Sequence, residues 1–161
     1  MLDKLIKYFV YATKGRITKT QLVKFLYLAD LYSVKWTGKQ LTELDWCYYQ
    51  FGPWNQDIDT ALKQMNGKEI IQEYEGNTEL IKLGAGATKV EDLKLPLSLR
   101  LILDNIKREW AGSGQEKFQA LLEYVYSTAP MLAVKDTHEP EEKVKLNLLA
   151  EQEKLISELG L

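Results

Sequence analysis

Between Thr18 and Gly38 the chain spells out both ends of a helix and sets a core-facing stripe between them. Thr18-Lys19-Thr20-Gln21 has the form of a capping box, a hydroxyl three residues ahead of a Gln that can return the bond. Leu22, Phe25, Leu26, Ala29 and Ser33 then recur at helical spacing, and Gly38 stands where a helix can close on a left-handed residue. The next apolar segment changes character. Trp46-Cys47-Tyr48-Tyr49-Gln50-Phe51 is rich in strand-favouring aromatics and stops at Gly52-Pro53, where a turn is expected. An apolar helix followed at once by an aromatic strand needs a core that accepts both, which points to a mainly α (α+β) architecture.

The flanking segments fit that frame. Leu2, Leu5, Ile6, Phe9 and Val10 share one helical face ahead of Gly15. Asn55 is placed to cap a third helix, with Asp57 and Asp59 set against its dipole, Ile58, Leu62 and Met65 inward, and Gly67 beyond its end. Residues 69–74 and 78–83 flank Glu75-Gly76-Asn77, a short hairpin signal. Gly84-Ala85-Gly86-Ala87-Thr88 reads as a flexible link, since it lacks the lysine of a phosphate loop and the third glycine of a dinucleotide fingerprint. A fourth helix follows Pro96, with Ser98 as its expected cap and Leu99, Ile102, Leu103, Ile106 and Trp110 inward. Ser113-Gly114-Gln115-Glu116 has the form of a second capping box. It opens a fifth helix carrying Phe118, Leu121, Leu122 and Val125, which is expected to stop near Pro130. A charged helix is expected over 140–159. The sum is about six helices with a small antiparallel β-sheet or hairpin, in one domain over 1–161.

Composition narrows the functional classes. The chain has 161 residues, 45% of them hydrophobic and 27% charged, in the range of soluble globular proteins. No apolar run approaches the roughly eighteen residues of a membrane span, and Asp3 and Lys4 interrupt any signal peptide. A single cysteine, Cys47, neither staples the fold nor builds a thiolate metal site, so the expected compartment is the reducing cytoplasm. The net charge of −2 is unevenly spread: residues 1–40 carry eight Lys/Arg against Asp3 and Asp30, and the remainder is acidic. A basic first quarter is either a solvated helix face or a surface for nucleic acid or an acidic partner.

No catalytic constellation stands out. His138 is the only histidine and lies in a polar stretch, while Cys47 sits on an aromatic strand, so a nucleophile with an oriented base is not expected. One Cys and one His do not supply the usual zinc ligands. Asp57 and Asp59, two apart on a helix, point in different directions and read as dipole compensation. No metal or cofactor is expected. Asp30 has two readings: an acceptor for buried donors, or a contact for a partner. Eight aromatics, Tyr27, Tyr32, Trp36, Trp46, Tyr48, Tyr49, Phe51 and Trp54, fall within 28 residues. Residues 46, 48, 49 and 51 straddle both faces of a strand, so one face is either covered by a helix or exposed as an interface. The strand carries no Lys or Arg, which counts against base stacking. The last helix suits either docking on its own domain or a helix-in-groove contact.

The succession Lys24-Phe25-Leu26-Tyr27-Leu28-Ala29-Asp30, Thr37-Gly38, Leu41-Thr42 and Tyr49-Gln50-Phe51-Gly52-Pro53 closely resembles the Panacea domain, the SocA-like antitoxin family. The likeness is clear over 16–65 and weaker to about Pro140. It implies a compact helical domain with a small sheet, found mostly in bacterial or phage proteins that neutralise a toxin by binding it. One branch of the family delivers its toxin to a AAA+ protease, and neither use is enzymatic. Lys24, Gly38, Thr42, Gly52 and Pro53 are the motif positions expected to be structural. The positions expected at or beneath a partner-facing surface are Tyr27, Asp30, Tyr32, Trp36, Tyr48, Tyr49 and Trp54. One departure stands out: where many relatives carry a histidine followed by Pro-Trp, residues 125–131 read Val-Tyr-Ser-Thr-Ala-Pro-Met.

The resemblance therefore implies a cytoplasmic antitoxin of a type II toxin–antitoxin system, with a toxin encoded by a neighbouring gene as its partner. The alternatives are a DNA-binding regulator using Lys14, Arg16, Lys19 and Lys24, and an adaptor to a AAA+ protease.

Overall fold

The long helix anticipated from the sequence spans Lys19–Thr37 (α2), and the rest of the molecule is packed around it. The computed structural model describes residues 1–135, 139 and 142–161. Thr18 accepts from Gln21 N while Gln21 Oε1 accepts from Thr18 N at 3.0 Å, closing the capping box, and Gly38 ends the helix at φ +79°. One expectation needs correction. α2 does not bury a single stripe: every residue from Gln21 to Leu31 is buried, including Val23, Tyr27, Leu28 and Leu31. A helix apolar on all sides is stable only when surrounded.

The surround comes from both termini and from a helix in between. Leu2–Ala12 (α1) and Leu97–Trp110 (α4) pack on α2, as does Leu149–Glu158 (α7). Gln115–Tyr126 (α5) and the short Ala129–Val134 (α6) complete the helical layer with Gln56–Met65 (α3). Strands Ile17–Thr18 (β1), Ile70–Glu75 (β4) and Thr78–Leu83 (β5) form one antiparallel sheet in the order β1-β5-β4. Cys47–Tyr49 (β2), Gly52–Trp54 (β3) and Val144–Lys145 (β6) form a second, ordered β3-β2-β6. Seven α-helices and two small antiparallel sheets among the described residues make a mainly α structure with a minor β part. Leu5, Phe9, Phe25, Leu26, Leu28, Ile58, Leu103 and Val125 meet in one core, each contributing about 1.5–3 kcal/mol by burial.

Five local expectations change. Gly52-Pro53 is not the end of a strand but part of the return strand: the chain turns one step earlier, at Gln50-Phe51, where Gln50 takes φ +52°. Gly84 and Gly86 do not form a loose link. Their N–H groups bond Glu69 O and Lys68 O, and a Cβ on Gly84 would stand 2.2 Å from Lys68 O, so glycine is required for this close approach. Ser113 does not cap α5, whose cap position is Gly114 with no side-chain bond, and the cap of α4 is Pro96 rather than Ser98. The last helix begins at Leu149, because residues 144–145 pair with β2 instead and Leu146 and Leu148 turn into the core. Residues 140 and 141, the expected start of that helix, lie outside the described residues, as does His138.

Candidate partner-binding surface

Asp30 organises the loop that follows α2. Its carboxylate is fully buried on the fourth turn of the helix, and five donors converge on it. Oδ1 accepts from Leu41 N at 2.8 Å and Thr42 N at 2.9 Å, while Oδ2 accepts from Trp46 Nε1 at 2.8 Å, Gln40 Nε2 at 3.3 Å and the Thr42 hydroxyl. Thr42 Oγ1 also accepts from Leu44 N, which commits the threonine's proton to Asp30. Burial pushes the Asp30 carboxyl above the usual carboxylate range, and the hydrogen bonds from Thr42, Trp46 and Leu41 pull it back. A site that presents donors on every side suits a carboxylate, and it fixes the path of residues 40–46 into β2.

Beside it, Tyr27 packs edge-on against Trp46 at 5.5 Å between ring centroids. Thr128 gives its proton to Val125 O, so the Tyr27 hydroxyl donates to Thr128 across 2.8 Å. Burial pushes the Tyr27 phenol well up. Thr128 thus ties the end of α5 to the middle of α2 through a polar contact that the sequence did not disclose.

These anchors hold the β2–β3 hairpin against the body. Tyr48 pairs with Pro53 and Tyr49 with Gly52 across the two strands. At the tip, Tyr126 of α5 donates its hydroxyl to Phe51 O, while the Phe51 ring stays 79% exposed. Tyr49 and Trp54 lie 5.3 Å apart, and Lys143 Nζ stands over both rings at 5.2 and 5.0 Å. Trp54 Nε1 donates to Asp59 across 3.2 Å, and Asp59 also pairs with Lys19. The result is an exposed ring on a short, pinned loop, with half-buried Tyr48, Tyr49 and Trp54 behind it.

Lys24 is the oddity beneath this hairpin. It is 3% exposed, and no ion pair or hydrogen bond reaches its ammonium among the described residues. Its Nζ and Tyr126 Oη stand 3.5 and 3.6 Å from where a Cβ on Gly52 would lie, so the glycine keeps this space open. Burial alone draws the amine down to about 8.

The structure therefore divides the expected surface residues. Tyr27 and Asp30 are wholly interior, and their hydrogen bonds fix the loop and the hairpin from beneath. Tyr32 is half-buried, donates to Tyr124 Oη at 3.0 Å, and has its phenol pushed up by burial. Trp36 is 67% exposed on the last turn of α2, with Lys35 Nζ 5.8 Å from its ring. Tyr48, Tyr49 and Trp54 gather on the hairpin. Phe51, left out of the expected set, is the most exposed aromatic of the molecule's described part. Its place next to the Gly-Pro pair was the available signal. Lys24, counted with Lys14, Arg16 and Lys19 in the DNA-binding alternative, lies in the interior. Cys47 Sγ donates to Asp45 O at 3.6 Å, and no cluster of three or more potential metal ligands occurs among the described residues.

The profile of the SocA-like antitoxin family, Panacea domain, matches residues 22–158. That is most of the chain. The protein belongs to the SocA-like Panacea antitoxin family. No curated protein matches it. The matched span of the Panacea domain begins inside α2 and includes the Asp30 loop, the hairpin, α4 to α6 and all of α7. It leaves out α1 and β1, which nonetheless supply Leu5, Ile6, Phe9 and Ile17 to the same core. No helix among the described residues is long and apolar enough to cross a membrane.

Proposed function

We propose that this Panacea-domain protein is an antitoxin that neutralises a cognate toxin by direct contact, with no chemistry of its own, and that the β2–β3 hairpin is the contact. The observation that carries this reading is the Phe51 ring, exposed at the tip of a loop pinned by Tyr126 and backed by Tyr49 and Trp54. Large apolar rings held rigid in the free state are the anchors of protein interfaces, because little conformational freedom is lost when they bind. Membership of an antitoxin family supports a protein as the partner. The single cysteine fits a reducing compartment such as the cytoplasm.

The test is co-expression with each neighbouring gene product that is lethal alone. Rescue of growth, together with a stoichiometric complex on gel filtration, is the expected result. Phe51→Ala should abolish rescue while leaving the melting temperature in place. Rescue that requires a AAA+ protease and removes the toxin from the cell would replace blocking by delivery for degradation.

A further inference from the structure

We infer that the open groove between the α1–β1 turn, the β4–β5 hairpin and α4 is a docking site for an acidic, amphipathic segment of another protein. The groove measures about 2190 Å³, and eight Lys/Arg but three Asp/Glu line it, in a chain whose net charge is −2. Lys14 and Arg16 come from the turn after α1, Lys89 from the segment after β5, and Lys107 and Arg108 from the last turns of α4. All five are exposed, and none takes part in an ion pair among the described residues. The carboxylates of the groove are already engaged. Glu91 and Asp104 both face Arg100, and Glu79 accepts from Gln72. Surplus positive charge is therefore free to meet a partner, and it is drawn together from segments about ninety residues apart in sequence.

The floor decides which anion fits. Leu101 is 60% exposed, and Val90 and Phe118 are half-buried along the same lining. An apolar floor between cationic rims matches a peptide that points Leu or Phe inward and Asp or Glu outward. A nucleic-acid strand fits less well. Of the groove's aromatic rings only Tyr74 is exposed as a stacking face, and the apolar floor of Leu101, Val90 and Phe118 offers a phosphate backbone no partner. Lys14 and Arg16 also precede residue 22, where the Panacea match begins, so this groove is built partly from outside the matched span. It shares no residue with the β2–β3 hairpin and stands apart from the toxin-binding reading.

The test is selection of short random peptides displayed on phage against the intact protein, with fluorescence anisotropy on the enriched peptides. The enriched sequences should alternate Asp/Glu with Leu/Phe, and their binding should weaken as salt rises. Combined Arg16→Glu, Lys107→Glu and Arg108→Glu should weaken binding at least about tenfold, with an unchanged melting curve, because all three side chains are exposed. Phe51→Ala should leave it unaltered. Enriched peptides without acidic bias, or indifferent to the triple variant, would overturn the inference. So would an oligo(dT) strand that binds more tightly than the peptides and competes them away.

Discussion

Two buried charges lie six residues apart on α2, and they are treated in opposite ways. Asp30 is met by five donors, each in hydrogen-bonding reach, and the chain after the helix is folded around it. Lys24 is nearly as deeply buried and is met by none among the described residues. A buried charge surrounded by partners specifies a structure, because displacing any one of them leaves a polar group stranded. A buried charge without partners opposes folding by its desolvation. The contrast separates a residue that builds the hairpin's support from one that the hairpin merely covers.

The largest effect is expected at the satisfied site. Asp30→Ala strands the Trp46 and Leu41 N–H groups and the Thr42 hydroxyl in the interior, and should cost about 4 kcal/mol or more. Urea unfolding measures it, and a loss below about 1 kcal/mol would sink the comparison. Lys24→Met should act in the other direction, stabilising the protein at pH 7 by up to about 3 kcal/mol, the equivalent of the downward shift of its amine. The wild-type protein should carry a matching pH dependence. Above about 8 the folded amine is neutral while the unfolded chain still binds the proton up to its ordinary 10.5. The unfolded state then holds more protons, so this group makes stability rise with pH across that window and adds nothing below it. Lys24→Met should flatten the rise; a variant less stable than wild type at pH 7 would reveal an acceptor for the amine.

Thr42→Val comes next. It removes one bond to Asp30 and the acceptor for Leu44 N, for about 1–2 kcal/mol, and Trp46 fluorescence should report the loosened loop. Phe51→Ala should be the smallest in stability, within about 0.5 kcal/mol, because the exposed ring contributes little to the core. The same change should cost about 2 kcal/mol or more in toxin affinity by calorimetry. Equal losses of affinity from Phe51→Ala and from Trp36→Ala would mean that the contact extends to the end of α2.

The ends of α2 and the start of α3 were legible, because they are written by local chemistry. The Thr18–Gln21 box, the left-handed Gly38 and the Asn55 cap each need only residues within reach of one another. The Gly76 turn and its two strands were legible for the same reason. The hairpin turn was displaced by one step, since Gln50 adopts a left-handed backbone that its side chain does not advertise. Strand β6 was not legible, because Val144-Lys145 is a strand only by pairing with Cys47 and Tyr48 nearly a hundred residues earlier. At the candidate site, the aromatic richness of 46–54 was visible, but its division between interior and surface was not.

By itself the sequence determined the caps of α2 and α3, the turn at Gly76, the excess of aromatics and the motif that places the chain in the Panacea family. Only the tertiary structure decided that α2 is enclosed on all sides, that Asp30 is an internal anchor and Lys24 a largely buried cation, and that Phe51 faces solvent. It also gathered the cations of 14–16, 89 and 107–108 into one groove. The physical reason is range: capping and turn preferences act over three or four residues, while burial and electrostatic surroundings depend on whatever distant segments the packed core brings alongside.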